Sequence, residues 1–214
     1  MNQKFFAFHH ICASEKINEE GVVEQVELLT CCFDDYTAFG NEYGYRGPQE
    51  QYCLEKRTDD IWADTWIGHQ YISSIQVDCI NETARCQKQG DVSMDFPSVH
   101  PNRDGKKCRF VYGGTTLPKG EHAPFNSLIK LDTEKGTSVT WKADTWLGEP
   151  MFVPNGDLEG QGWVLVMAYY GCKEECKLLI LDAEDIEKGP ICDVVLPLQP
   201  YAFHGAYSMS DTTH

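Results

Sequence analysis

Two histidines and two carboxylates are the residues of this chain whose types and settings could do chemistry. His9 and His204 each follow a phenylalanine, in Phe8-His9 and in Phe203-His204-Gly205. Asp95 precedes Phe96-Pro97, and Glu149 precedes Pro150. All four lie where a strand-like apolar run begins or ends. A neutral imidazole can bind a metal through one ring nitrogen. Its other N–H then needs an acceptor, commonly a carboxylate, which fixes the tautomer and makes the ligand more basic. Two histidines and two acids make two such pairs. For any one histidine in an apolar run, the plainer reading is a core imidazole with one hydrogen-bonded nitrogen.

The elements that must position these residues read as β-strands. Gly148 to Gly205 contains three short apolar runs, Trp163 to Tyr169, Leu178 to Leu181 and Val194 to Leu196, separated by segments rich in Gly, Asp, Glu, Lys and Pro. That is the pattern of consecutive antiparallel strands. Upstream, Phe5 to Glu15, Val22 to Phe33, Tyr71 to Val77 and Cys108 to Tyr112 read as further strands. Ser127 to Asp132 and Thr137 to Trp141 flank Thr133-Glu134-Lys135-Gly136 and make a hairpin. Asp34 to Asp60 is a long excursion with a short helix expected around Gln49 to Lys56. No stretch of a dozen residues has helical periodicity. The fold class is all-β, and from strand pattern alone a sandwich, a barrel and a propeller all fit.

Composition narrows the partners. The 214 residues are 42% hydrophobic and 24% charged, a globular balance rather than a disordered one. The net charge of −15 repels phosphate backbones, so nucleic acid is excluded as a partner, and a basic patch on anionic lipid is disfavoured. No apolar run approaches the ~20 residues of a membrane-spanning helix. The first residues lack the apolar core of a signal peptide. Ten cysteines occur, but no C-x-x-C. Cys31-Cys32 is vicinal and Cys172 to Cys176 is a lone C-x-x-x-C, so neither zinc nor a secreted disulfide framework is expected. Several cysteines sit in apolar runs as small buried hydrophobes.

At longer strings the sequence resembles the carotenoid cleavage oxygenase family. The matching segments are FHHICASE at Phe8 to Glu15, MDFPSVHP at Met94 to Pro101, FVYG at Phe110 to Gly113 and GEPMFVP at Gly148 to Pro154. GWVLVMAY at Gly162 to Tyr169, LLILDAEDI at Leu178 to Ile186 and PYAFHG at Pro200 to Gly205 continue the series. The resemblance implies part of a seven-bladed β-propeller, its C-terminal blades, with a ferrous iron, Fe(2+), on the axis. It makes His9 and His204 the third and fourth of four histidine ligands. Asp95 is then the carboxylate behind His9, and Glu149 the one behind His204. Phe8, Phe96 and Phe203 become part of the wall of an apolar substrate tunnel. His10 follows the ligand and is not one itself, and His69, His100 and His122 stand in the wrong context to supply the missing two.

The implied reaction is oxidative cleavage of a C=C bond in a carotenoid or apocarotenoid by O2, giving carbonyl products. Residues 1–214 would be the C-terminal portion of one propeller domain. Its partners would be the missing N-terminal blades, the polyene and O2, with peripheral membrane contact open to the full-length protein. The compartment stays open between plastid and cytoplasm. One departure bears on geometry. The family usually has Glu where this chain has Asp95, so a long or water-bridged contact to His9 is expected. The alternatives are a non-catalytic truncated propeller without a complete iron site, and an unrelated acidic β-sandwich binding module. Only the last expects His9 and His204 to lie far apart.

Overall fold

The computed structural model describes residues 5–33, 70–117, 125–170, 175–197 and 204–206. The helix expected near Gln49 to Lys56, and His69, His122 and Phe203, lie outside the described residues. Among those described there are twelve strands and short 3₁₀ turns, with no α-helix. Among the described residues no helix is long and apolar enough to cross a membrane.

The strands form three antiparallel meanders. The first runs β1 (His10–Ile17), β2 (Val23–Phe33), β3 (Gln70–Asp78) and β4 (Thr83–Lys88), paired in that order. The second is β5 (Asp95–Ser98), β6 (Phe110–Thr115), β7 (Phe125–Asp132) and β8 (Thr137–Leu147). The third is β9 (Met151–Pro154), β10 (Gly162–Tyr170), β11 (Glu175–Asp182) and β12 (Pro190–Leu196). The end of β8 also pairs with β10, at Leu147 with Ala168 and Trp146 with Tyr169, which fuses the second and third meanders into one eight-stranded sheet. The short strands β4, β5 and β9 are the ones not separately read from the sequence.

Local chemistry accounts for the hairpins. Between β7 and β8, Asp132 Oδ1 accepts from the backbone N–H groups of Glu134 and Lys135, both at 3.1 Å. Gly136 closes the turn at φ +66°, a left-handed conformation that costs glycine nothing. Alternation then sets the buried faces. On β10, Val164, Val166 and Ala168 are buried, and on β11 so are Leu179 and Leu181 opposite them, while Cys176 is buried on the other face.

Two cores hold successive meanders together. One contains Ile11, Cys31 and Ile72 from the first meander, with Met94, Val111, Ile129 and Leu131 around the second. The other joins Tyr112, Leu128 and Leu147 to Phe152, Val164, Val166, Leu179 and Leu181 of the third. Tyr112 stacks on Phe152 at 5.2 Å and donates its hydroxyl to Ala183 O at 2.9 Å. The last strand, β12, is an edge, and Ile191 and Val195 are exposed there.

Meander order explains where the four singled-out residues fall. His9 immediately precedes β1, Asp95 is the first residue of β5, and Glu149 stands two residues before β9. His204 follows β12. Each of the first three therefore sits at the entry to the first strand of a meander.

Candidate metal centre

His9 Nδ1 lies 2.7 Å from Asp95 Oδ1. An ionised carboxylate can only accept, so in the neutral ring Nδ1 carries the proton and Nε2 keeps its lone pair. The expectation of a long or water-bridged contact is therefore corrected: the shorter Asp side chain reaches the imidazole directly. The backbone around it is irregular. Strand β5 breaks register between Asp95 and Ser98, and Phe96 takes φ +49°. A positive φ is rare for a bulky residue and is held only where its surroundings over-determine it. Here Phe96 N donates to the same Asp95 Oδ1 at 2.9 Å.

Asp95 is 5% exposed, so its carboxylate depends on donors from the protein rather than on water. Cys31, fully buried on β2, also borders it. Burial pushes the Cys31 thiol well above the ordinary thiol range, and the charge of Asp95 and its hydrogen bond to the thiol push it further. The thiol therefore stays protonated as a donor. Nothing in the sequence but the vicinal cysteine pair pointed to Cys31.

The second pair is looser and more open. His204 Nδ1 lies 3.4 Å from Glu149 Oε2, which also accepts from Gly205 N at 2.7 Å. One carboxylate oxygen thus faces the ring and holds the backbone that follows it. The two histidines meet although they come from opposite ends of the chain. Their ring centroids are 5.4 Å apart, at an interplanar angle of 78°. That excludes the arrangement expected of an unrelated sandwich, in which they would be far apart.

Phe96 completes the cluster. Its ring centroid is 4.8 Å from that of His9 and 5.3 Å from that of His204. Phe125 meets Phe96 edge to face at 5.5 Å. Phe125 in turn needs Gly114, where an added Cβ would come within 2.3 Å of the Phe125 ring. A glycine inside a strand often marks such a close approach, and Gly113-Gly114 carried that signal. Phe8 packs on Phe6 and Phe33 and is partly exposed beside His9.

The other described histidines are occupied elsewhere. His10 Nδ1 pairs with Thr30 Oγ1 at 2.9 Å. His100 is buried, accepts from Asn102 N at Nδ1, and donates from Nε2 to Gly156 O at 3.2 Å. Among the described residues no group of three or more His, Cys, Asp or Glu side chains could hold a metal. The donor set assembled here is two imidazoles, each with Nδ1 facing a carboxylate. It fits half of a histidine-only metal site.

Residues 1–209 match the retinal pigment epithelial membrane protein family. The chloroplastic carotenoid cleavage dioxygenase 7 of Arabidopsis thaliana is 34% identical over 230 residues, covering 97% of this chain and 37% of the relative. The protein of the same name from Oryza sativa subsp. japonica is 28% identical over 216 residues, covering 90% of this chain and 34% of the relative. Cobalt-substituted Synechocystis apocarotenoid oxygenase superimposes with a TM-score of 0.74 at 26% identity, covering 96% of this chain and 40% of that structure. The chain spans about a third of the length of these curated relatives.

Proposed function

The chain belongs to the retinal pigment epithelial membrane protein family of carotenoid oxygenases, and from that premise we propose that the complete protein cleaves a C=C bond of a carotenoid or apocarotenoid with O2. The three meanders are part of the β-propeller of that family. The observation that carries the proposal is the convergence of His9 and His204, each backed by its own carboxylate. In this reading they are two of four histidine ligands to ferrous iron, and Asp95 and Glu149 hold their rings in the ligating tautomer. When bound, ferrous iron supplies the one-electron chemistry that allows O2 to react with a closed-shell alkene.

The reaction stoichiometry decides what the residues of this chain must do. Adding O2 across C=C and breaking that bond gives two C=O groups with no net gain or loss of protons. No side chain is therefore required as a general acid or base. His9 and His204 hold the metal, Asp95 and Glu149 orient them, and Phe96 and Phe8 present apolar surface beside the His9 ring. An apolar polyene offers few polar handles, so the bond cleaved is selected by how deeply the chain of double bonds enters the tunnel.

A second reading concerns the polypeptide by itself, in which the two histidines brought together are the whole donor set. In this reading the 214 residues are a non-catalytic propeller fragment. Iron content separates the readings. The 214-residue chain and a version extended upstream are purified in parallel and assayed for iron. About one iron per extended chain, lost in His204→Ala, supports the cleavage reading. Absence of iron from both refutes it, and stoichiometric iron in the short chain refutes the half-site.

A further inference from the structure

Away from the histidines, two cysteines distant in sequence are brought together at the seam between the first and second meanders. Cys12 lies on β1, and Cys108 lies two residues before β6. Cys108 Sγ donates to Cys12 Sγ at 2.9 Å, across a sequence separation of 96 residues. Both thiols are free. They line a cleft of about 630 Å³ together with Glu27, Leu29, Arg109 and Glu159. Cys108 is buried and Cys12 half-buried, so Cys12 is the more accessible residue of the pair.

The chemistry of the two sulfurs is unequal in the same sense. The thiol hydrogen bond from Cys108 lowers Cys12 to about 7, against opposition from burial and from the charges of Glu27 and Glu159. The same contact, with burial, pushes Cys108 above the ordinary thiol range. A more accessible cysteine with thiolate character beside a protonated, buried one is the arrangement of an attacking and a resolving cysteine.

We propose that Cys12 and Cys108 are a reversible redox site that forms a disulfide at the expense of a small-molecule disulfide of the glutathione type. The Cys12 thiolate attacks one sulfur of the reagent, forming a mixed disulfide at Cys12 and releasing one thiolate. Cys108 then attacks the Cys12 sulfur, forming the Cys12–Cys108 bond, and the second reagent sulfur leaves and takes up the proton that Cys108 gives up. The net change oxidises two protein thiols to one disulfide and reduces one reagent disulfide to two thiols. This site does not depend on the oxygenase reading.

The other described cysteines have surroundings of their own: Cys86 Sγ lies 2.9 Å from Ser73 Oγ, and Cys176 is fully buried. Cys31 and Cys32 are adjacent on β2, where successive side chains point to opposite faces. Cys79 and Cys192 are exposed and make their thiol contacts with backbone carbonyl groups of Val77 and Asp193. Oxidation would tie the two meanders covalently along the seam that the His9–Asp95 hydrogen bond also crosses.

The test is peptide mapping under non-reducing conditions. The reduced 214-residue chain is incubated with glutathione disulfide without oxygen, quenched with acid, digested and analysed by mass spectrometry. The expected product is a cross-linked pair of peptides containing Cys12 and Cys108, which dithiothreitol separates. Cys108→Ser should instead retain glutathione on Cys12, and Cys12→Ser should leave Cys108 reduced. A wild-type chain in which Cys12 carries only glutathione, or in which Cys79 and Cys192 react while Cys12 and Cys108 do not, overturns the proposal. The wild-type map decides the matter even where a variant folds poorly.

Discussion

Replacing Asp95 with alanine removes the one oxygen that serves two donors. Phe96 N and His9 Nδ1 both point at Asp95 Oδ1, at 2.9 and 2.7 Å, in a place where the aspartate is 5% exposed. A buried donor left without a partner costs about 1–3 kcal/mol, so two cost about 2–6 kcal/mol. Two effects reduce that sum. The His9 side chain is 22% exposed, which lets water satisfy part of its N–H. Phe96, freed of its hydrogen bond, can relax from its positive φ and recover some of the ~1–3 kcal/mol such a conformation stores. The expected loss is about 2–4 kcal/mol. With a urea slope of about 2 kcal/mol per M, the unfolding midpoint should fall by roughly 1–2 M. Asp95→Asn keeps an acceptor oxygen in place and loses only the charge assistance, so it should cost about 1 kcal/mol. The imidazole ¹⁵N spectrum of His9 gives an independent readout: Nδ1–H in the wild type, and a shift toward Nε2–H in Asp95→Ala. Equal urea midpoints for wild type, Asn and Ala, with an unchanged His9 tautomer, would refute the reasoning.

Other perturbations separate the remaining contacts. Gly114→Ala drives a Cβ into the Phe125 ring and should destabilise by about 1–3 kcal/mol in urea unfolding, with Phe125→Leu in the same chain recovering part of the loss. Tyr112→Phe should cost about 1 kcal/mol or less, because Ala183 O keeps its second donor, Lys130 Nζ at 2.7 Å. Alkylation of Cys12 should rise with pH through a midpoint of about 7, and in Cys108→Ala that midpoint should move up, since the Cys108 hydrogen bond is the main cause of the lowering. Lys107, Ser74 and Gln76 hold the Glu27 carboxyl below its ordinary range. A depressed carboxylate stabilises the fold above its unfolded pKa, and that contribution fades as pH falls through the folded value. Glu27→Gln should therefore flatten the acid limb of the stability profile below about pH 4.3, measured by urea midpoints at successive pH values.

Much of this protein was legible in its residues. Alternation and turn chemistry identify strands such as Trp163 to Tyr169 and the hairpin at Thr133 to Gly136, because a half-buried strand and a tight turn are local solutions to local constraints. The strings around His9, Asp95, Glu149 and His204 carried the family, because each sets a polar residue among recognisable apolar neighbours. The short strands β4, β5 and β9 escaped notice, since four to six residues hold too little periodicity to register. Phe96 was singled out by its place beside Asp95, yet its φ of +49° was not foreseen, because a register shift depends on the partner strand β6.

What only the tertiary structure decided is which residues meet. The Asp95 carboxylate reaches His9 directly at 2.7 Å, beside the positive φ of Phe96, a distance that side-chain length alone did not predict. Cys31 behind Asp95, Phe125 against Phe96, and Cys108 against Cys12 are likewise unions of separate strands. The sequence by itself determined the strands, the family and the candidate residues, since periodicity, turns and short motifs are properties of neighbours along the chain. Packing of one meander on the next determined the distances, since those arise from groups that the chain brings together only when it closes on itself.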